Sequence, residues 1–266
     1  MHKKFFWILI ILVVANIMTW SIVYDSNDLE VVFFNVGQGD SIYIEYNSFQ
    51  VLIDGGPNNI VLEKLGENMP FYDKKIELLI LTHPDHDHLF GLLEVLKRYK
   101  VDNILWTGYE KDTAEYKEWL RLIKDHNIII AEKDAKIELL DNIYLYIHSA
   151  DVNAKDCNDS SIVASLVFND VEFLFTGDIT DKIEKQLDIR ADVLKIAHHG
   201  SNSSSCSEFL EKVSPEVAVI SVGENNYGHP SAEVLQRLQQ FGIPILITKD
   251  LGDVKIITNG QEIYGY

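Results

Sequence analysis

Residues 79–91 read LILTHPDHDHLFG, and three histidines and two aspartates fall within positions 83–88. They follow Leu79–Leu81, an apolar run of the kind that forms a buried strand. A strand end is a rigid platform, and the segment leaving it can turn side chains back over the sheet edge. Histidine offers a neutral nitrogen and aspartate an oxygen, the donor set that suits zinc or manganese. His83, Asp85, Asp87 and His88 are therefore candidate ligands, enough to serve two cations from one loop. Two such cations, ~4 Å apart, clamp and activate a water between them. A loop that is polar by chance is the plainer alternative, and the density of ligand-type residues after an apolar run speaks against it.

Two further stretches repeat the arrangement. FLFTGD puts Asp178 at the tip of another apolar run, and VLKIAHHGS puts His198 and His199 at the tip of a third. Alone, each would be a weak signal. Three strand tips carrying ligand-type side chains form one constellation.

The rest of the chain supplies a frame. Short alternating runs, LEVVFFNV, SIYIEY and QVLID, read as successive strands. IELLILT then reads as a buried strand, LFGLLEVLKRYK as a helix, NILW as a strand and TAEYKEWLRLIKDH as an amphipathic helix. A second strand-rich block follows: AKIELL, IYLYIH, SIVASLVF and VEFLFTGD. Alternation then returns, with DVLKIAHHG, EVAVISV, IPILIT and VKIIT as strands and helices near 207–213 and 231–242. This order, strands and then strand–helix alternation, repeated once, predicts two packed sheets with helices outside.

The N-terminus is different in kind. Residues 5–24 are apolar except for Asn16, Thr19 and Ser21, and Lys3 and Lys4 precede them. That length suits one membrane span. No small-x-small cleavage site is evident before Trp20, Ile22 and Tyr24, which favours an anchor over a cleaved signal segment. The two lysines favour a cytoplasmic N-terminus. Residues 1–24 are thus expected to form an anchor or signal segment, and residues 25–266 an extracytoplasmic domain, or a secreted one if the segment is cleaved. All 41 acidic residues, and every one of the 23 basic residues except Lys3 and Lys4, follow Tyr24, so that part carries a formal charge of −20. Such a balance excludes broad nucleic-acid binding through a basic surface. It leaves open a nucleic acid held at one small site by metal ions. Two cysteines, Cys157 and Cys206, are too few to define a disulfide framework.

NVGQGDS, LIDGG, THPDHDH, FTGD, AHHGS and YGHPS, in that order, resemble the metallo-β-lactamase superfamily. More closely they are similar to the hydrolase domain of the ComEC competence proteins and its stand-alone relatives. The resemblance covers about residues 30–266. It implies an α/β fold, an αββα sandwich, with a two-metal site at one edge. It places His83 and Asp85 on one metal, Asp87 and His88 on the other, and Asp178 between them. His199 would complete the second metal and His198 would face the substrate. The family's common loop has histidine where this chain has Asp85, and an added carboxylate favours manganese over zinc. The family's third-loop histidine is not evident; CNDSS stands there, with Asn158 or Asp159 as the candidate ligand.

Other motifs supply candidates for the surroundings. Asp40 in NVGQGDS is placed near the substrate, through hydrogen bonds to a ligating histidine. Asp54 in LIDGG is expected to fix a turn beneath the metal loop. Lys195 is a candidate to neutralise a substrate anion, although a strand lysine facing solvent is the simpler expectation. Ser201 is a candidate for phosphate oxygens or for capping the next helix. His229 in YGHPS is a candidate proton donor. The expected reaction is hydrolysis of a phosphodiester, single-stranded DNA being the substrate suggested by the ComEC resemblance. A membrane DNA-uptake protein is the corresponding partner. A cell-wall phosphocholine or teichoic-acid esterase is the second expectation, and a non-catalytic accessory module of DNA uptake the third.

Overall fold

A computed structural model describes residues 28–265. The expected anchor at 1–24 lies outside the described residues. Among the described residues, no helix is long and apolar enough to cross a membrane.

Among the described residues, fifteen strands form two sheets. The first half of the chain opens with β1 (Leu29–Phe33), β2 (Ile42–Tyr46) and β3 (Phe49–Ile53), paired antiparallel. It continues through α1 (Ile60–Asn68), β4 (Lys75–Leu81), α2 (His86–Leu96), β5 (Lys100–Trp106), α3 (Ala114–Ile123) and β6 (Asn127–Ile130). Here β3, β4, β5 and β6 pair parallel, each joined to the next by a helix. The second half repeats the plan. Strands β7 (Lys136–Leu140), β8 (Ile143–Ser149), β9 (Val163–Phe168) and β10 (Val171–Phe175) form an antiparallel meander. Next come α4 (Asp181–Glu184), β11 (Val193–Lys195), α5 (Ser207–Val213), β12 (Val217–Ile220), α6 (Ala232–Gln240) and β13 (Ile245–Ile247), with β10 to β13 parallel. After α7 (Thr248–Leu251), β14 (Val254–Thr258) and β15 (Ile263–Tyr264) return to the first sheet beside β1.

The layers follow from burial. Side chains of both sheets, among them Phe33, Ile53, Ile80, Phe173, Phe175 and Val219, form the central core. Leu65, Leu92 and Trp119 cover the outer face of the first sheet, and Phe209, Leu210 and Leu238 that of the second. Each side chain taken from water contributes roughly 1.5–3 kcal/mol. The expected αββα sandwich is the fold observed. Parallel strands with crossover helices put the C-terminal ends of β3, β4, β10 and β11 at one edge, where such folds bind ligands.

Some local expectations are corrected. The helix after the histidine-rich loop starts at His86, three residues earlier than its apolar spacing suggests, so Asp87 and His88 sit in its first turn. Helix α1 carried no clear signal, because only Val61 and Leu65 of its nine residues are buried. The strand in VLKIAHHGS ends at Lys195; His198 and His199 both adopt left-handed backbone, with φ of 51° and 53°.

Candidate metal centre

Three histidines converge on one point, each fixed by the nitrogen that faces away from it. His88 Nδ1 lies 2.8 Å from Asp54 Oδ2. His199 Nδ1 donates to the Ser221 carbonyl at 2.9 Å. His83 Nδ1 lies 3.1 Å from Thr82 Oγ1 and 3.2 Å from Ser161 Oγ. A hydrogen bond at Nδ1 of this kind fixes ring orientation and leaves Nε2 as the outward ligand. Nε2 of all three is buried and without a hydrogen-bond partner, as is Asp178 Oδ1.

Carboxylates complete the array. Asp178 Oδ2 is 3.3 Å from both His88 Nε2 and His199 Nε2, and 4.0 Å from His198 Nε2. Asp87 Oδ2 is 3.2 Å from His199 Nε2. Donor atoms of His83, His88 and Asp178, and of Asp87, His88 and His199, form two groups, each within a 4.8 Å span. Buried nitrogens and oxygens facing one another without hydrogen bonds are costly unless a cation lies among them. The donor set therefore fits divalent metal, with His83, His88, His199, Asp87 and Asp178 as the holding residues.

The electrostatics agree. Burial, with His88 beside it, pushes His83 down to about 4. Burial also opposes charge on His88, but Asp178 and Asp54 outweigh it and hold His88 well above the usual imidazole range. Asp178 and Asp40 do the same for His199. Asp178 is buried, yet His199 and His88 hold it well below the usual carboxylate range. The array carries concentrated negative charge that either protons or cations must balance.

Local sequence explains the placement. Gly55 and Gly91 bring α2 against the end of β3: Gly55 N–H donates to the His88 carbonyl at 2.8 Å, and Gly91 N–H to the Gly56 carbonyl at 2.9 Å. A Cβ at Gly91 would lie 1.8 Å from the Gly55 oxygen. Left-handed φ at His198 and His199 costs of order 1–3 kcal/mol each and turns the pair back across the sheet edge.

The remaining expected residues divide. His198 and His229 line the cavity above the metal ligands, with ring centroids 5.5 Å apart. Asp85 lines it too, but one of its oxygens accepts from Lys111 Nζ and from Cys157 Sγ, the latter at 2.8 Å. Asp85 Oδ2 remains 4.0 Å from His83 Nε2. Asp40 lies behind the site, 3.3 Å from His199 Nδ1 and 2.5 Å from Lys195 Nζ. Lys195 faces neither substrate nor solvent: it is 1% exposed and also donates to the Gly177 and Ile196 carbonyls. Asp159 turns away and accepts from Thr180 N–H and Oγ1 at 3.1 and 2.8 Å. Within CNDSS, Ser161 is the residue that touches the centre, at His83 and at Asp178 N–H. Ser201 pairs with Ser203 at 3.0 Å; the following helix is preceded by Cys206, not by Ser201. Cys157 and Cys206 are free.

Asp54 falls where expected, fixing the start of the loop by accepting from Thr82 N–H and Oγ1 at 2.9 and 2.6 Å, and it also contacts the His88 ring. Its place at a strand tip was the available sign. Lys111 and Ser161 carried none, since each reaches the site from a loop distant in sequence.

A rigid two-sheet sandwich with this donor set at its open edge defines a metal-dependent hydrolase class. The chain belongs to the metallo-beta-lactamase superfamily, whose family model matches residues 34–224. It is 31% identical over 257 residues to ComE operon protein 3 of Bacillus subtilis, covering 86% of this chain and 33% of that protein. It is 29% identical over 231 residues to competence protein ComA of Neisseria gonorrhoeae, covering 84% and 31%. The chain thus spans about a third of the length of these curated relatives. Among solved structures, the metallo-beta-lactamase fold protein YhfI of Bacillus subtilis superposes with a TM-score of 0.61 at 13% identity, covering 88% of this chain and 100% of YhfI.

Proposed function

We propose that the protein hydrolyses phosphodiesters, with unpaired DNA as the substrate class, outside a membrane that residues 5–24 anchor it to. The observation that carries this is the set of three buried, unpartnered Nε2 atoms beside Asp178, which with Asp87 and His199 lines an open cavity of about 630 Å3. Bound zinc or manganese supplies a water of lowered pKa and a Lewis acid for a phosphoryl oxygen. The chain's own groups do the rest. Asp178, placed between His88 and His199, would help hold the metal and orient the attacking water. Asp87 holds His199. Asp40 and Asp54 keep His199 and His88 in orientation.

In the cavity, His198 and His229 face the leaving side. Burial and the neighbouring His198 push the His229 pKa down, so at neutral pH it is an uncharged imidazole. It serves as a hydrogen-bond donor to the leaving oxygen. Tyr227, 77% exposed on the cavity rim, offers a flat face to an unpaired base. Its loop is fixed by Asn225, whose Oδ1 accepts from the Tyr227 and His229 N–H groups. Similarity to competence proteins supports a DNA-uptake setting, in which a membrane partner presents the strand that this acidic surface would not attract alone.

A second reading rests on the same rim. Tyr227 beside Glu224 and Asp85 also suits a quaternary ammonium group, hence a phosphocholine ester. The deciding experiment uses the full chain with manganese, with zinc and after chelation, beside Asp87→Ala. The substrates are a single-stranded oligonucleotide and a phosphocholine ester. Metal-dependent cleavage of the oligonucleotide, lost in Asp87→Ala, is expected. Cleavage of the choline ester alone would favour the esterase. Bound metal without hydrolysis of either would favour the non-catalytic accessory module.

A further inference from the structure

The end of the sandwich opposite the metal centre carries its own surface. Strands β1, β3 and β4 all run toward the centre, since β2 is antiparallel to β1 and β3 while β4 is parallel to β3. One row crosses the sheet at the far end: Glu30 opposite Glu45, Glu45 opposite Gln50, and Gln50 N–H donating to Glu77 at 2.8 Å. Asp28 lies two residues before this row, so the chain enters the fold at the pole away from the ligands. From Glu77 to His83 the strand rises roughly 20 Å.

A built turn projects from that pole. Asp73 N–H donates to the Pro70 carbonyl at 2.8 Å, which leaves Phe71 and Tyr72 at the tip. They are 89% and 72% exposed, with ring centroids 5.3 Å apart. The turn is tied down: Asp73 accepts from the buried Gln50 side chain at 3.1 Å and from Lys75 N–H at 3.0 Å. Lys75 lies opposite Lys100 across β4 and β5 and Lys74 precedes it, with Lys75 paired to Glu77 and Asp102 and Lys100 to Asp102, so the turn carries little net charge. Two adjacent aromatics presented on a tied-down turn of little net charge are what settles at a lipid headgroup layer.

The sequence names the occupant. The apolar run at residues 5–24 ends four positions before Asp28, a span of at most about 14 Å. Three strand spacings separate β1 from β4, also about 14 Å. A bilayer holding residues 5–24 therefore lies within reach of the Phe71–Tyr72 turn. We propose that this pole docks on the bilayer surface through Phe71 and Tyr72, holding the metal centre turned away from the membrane. The inference rests on the anchor reading.

The test uses the full chain in vesicles of phosphatidylglycerol and phosphatidylethanolamine, with the photoreactive p-benzoylphenylalanine placed at Phe71, at Tyr72 or, at the opposite pole, at Tyr227. After irradiation, lipid adducts are expected from the first two positions, several-fold above the third. Hydroxyl-radical labelling of the unmodified chain is expected to show Tyr72 protected by vesicles and Tyr227 unchanged. Flotation with vesicles but no adduct at Phe71 or Tyr72, or equal adduct at Tyr227, would overturn the docking while leaving the anchor standing. Failure to float would overturn both.

Discussion

The two halves of the metal centre are built to different standards. On one side, His88 and His199 each have a dedicated partner behind the ring, Asp54 and the Ser221 carbonyl, with Asp40 and Lys195 beneath. On the other, His83 rests on the hydroxyls of Thr82 and Ser161, and Asp85 is engaged by Lys111 and Cys157. Carboxylate and carbonyl supports raise ligand basicity and fix geometry more firmly than hydroxyls do. One half is thus the better-supported cation site and the other a conditional one, so two cations held there are expected to differ in affinity.

The largest effect follows from breaking the better-supported half. His88→Ala is expected to abolish stoichiometric metal and all turnover, whereas His83→Ala keeps close to one equivalent. Metal analysis after gel filtration checks this; equal losses in both variants would refute the asymmetry. Chelation is expected to lower the melting temperature of the parent and of His83→Ala but not of His88→Ala. A ligand at 100 times its Kd contributes about 2.7 kcal/mol to the folded state.

Lys195→Met comes next. It leaves Asp40 buried and without its cation, which costs about 3–5 kcal/mol. A urea unfolding midpoint measures it. A stable variant with only a raised KM would instead return Lys195 to the substrate role that its motif suggests. Below this stands Asp54→Ala, which removes the partner of His88 Nδ1. It is expected to weaken the tighter metal by about 10–100-fold and to disturb the His83 side less, through Thr82, whose hydroxyl donates to the same carboxylate, read by competition with a chromogenic chelator.

How much of this was legible depends on distance along the chain. The fold was, because each half writes its meander and then its strand–helix alternation in consecutive runs. The strand tips that bring the His and Asp donors together were too, since LILTHPDHDH and FLFTGD put a buried strand and donor-type side chains within a few residues. What stayed hidden were contacts made across long separations. Lys195 sits in an apolar strand, and only the approach of the 36–41 turn gives its ammonium a partner in Asp40. Asp159 and Ser161 are two residues apart in one polar segment, and the short helical turn at Asn158–Ser160 decides which side chain faces His83. The first turn of α2 was masked because its ligands are polar and carry no apolar spacing.

The smallest effect bears on the conditional half. Lys111 and Asp85 form a pair whose side chains are 32% and 28% exposed, so solvent screens it and its net worth is about 0.2–1 kcal/mol. A second cation that drew on Asp85 would have to compete with that ammonium for the same carboxylate. Lys111→Met removes the competitor and leaves Cys157 as the remaining donor to the oxygen. The second equivalent of metal is then expected to bind tighter, by up to about fivefold, with the first unchanged, as titration calorimetry would resolve. A second equivalent that binds more weakly would mean that Lys111 aims Asp85 at the cation. The conditional half would then be supported like the other, by an ammonium in place of a carboxylate.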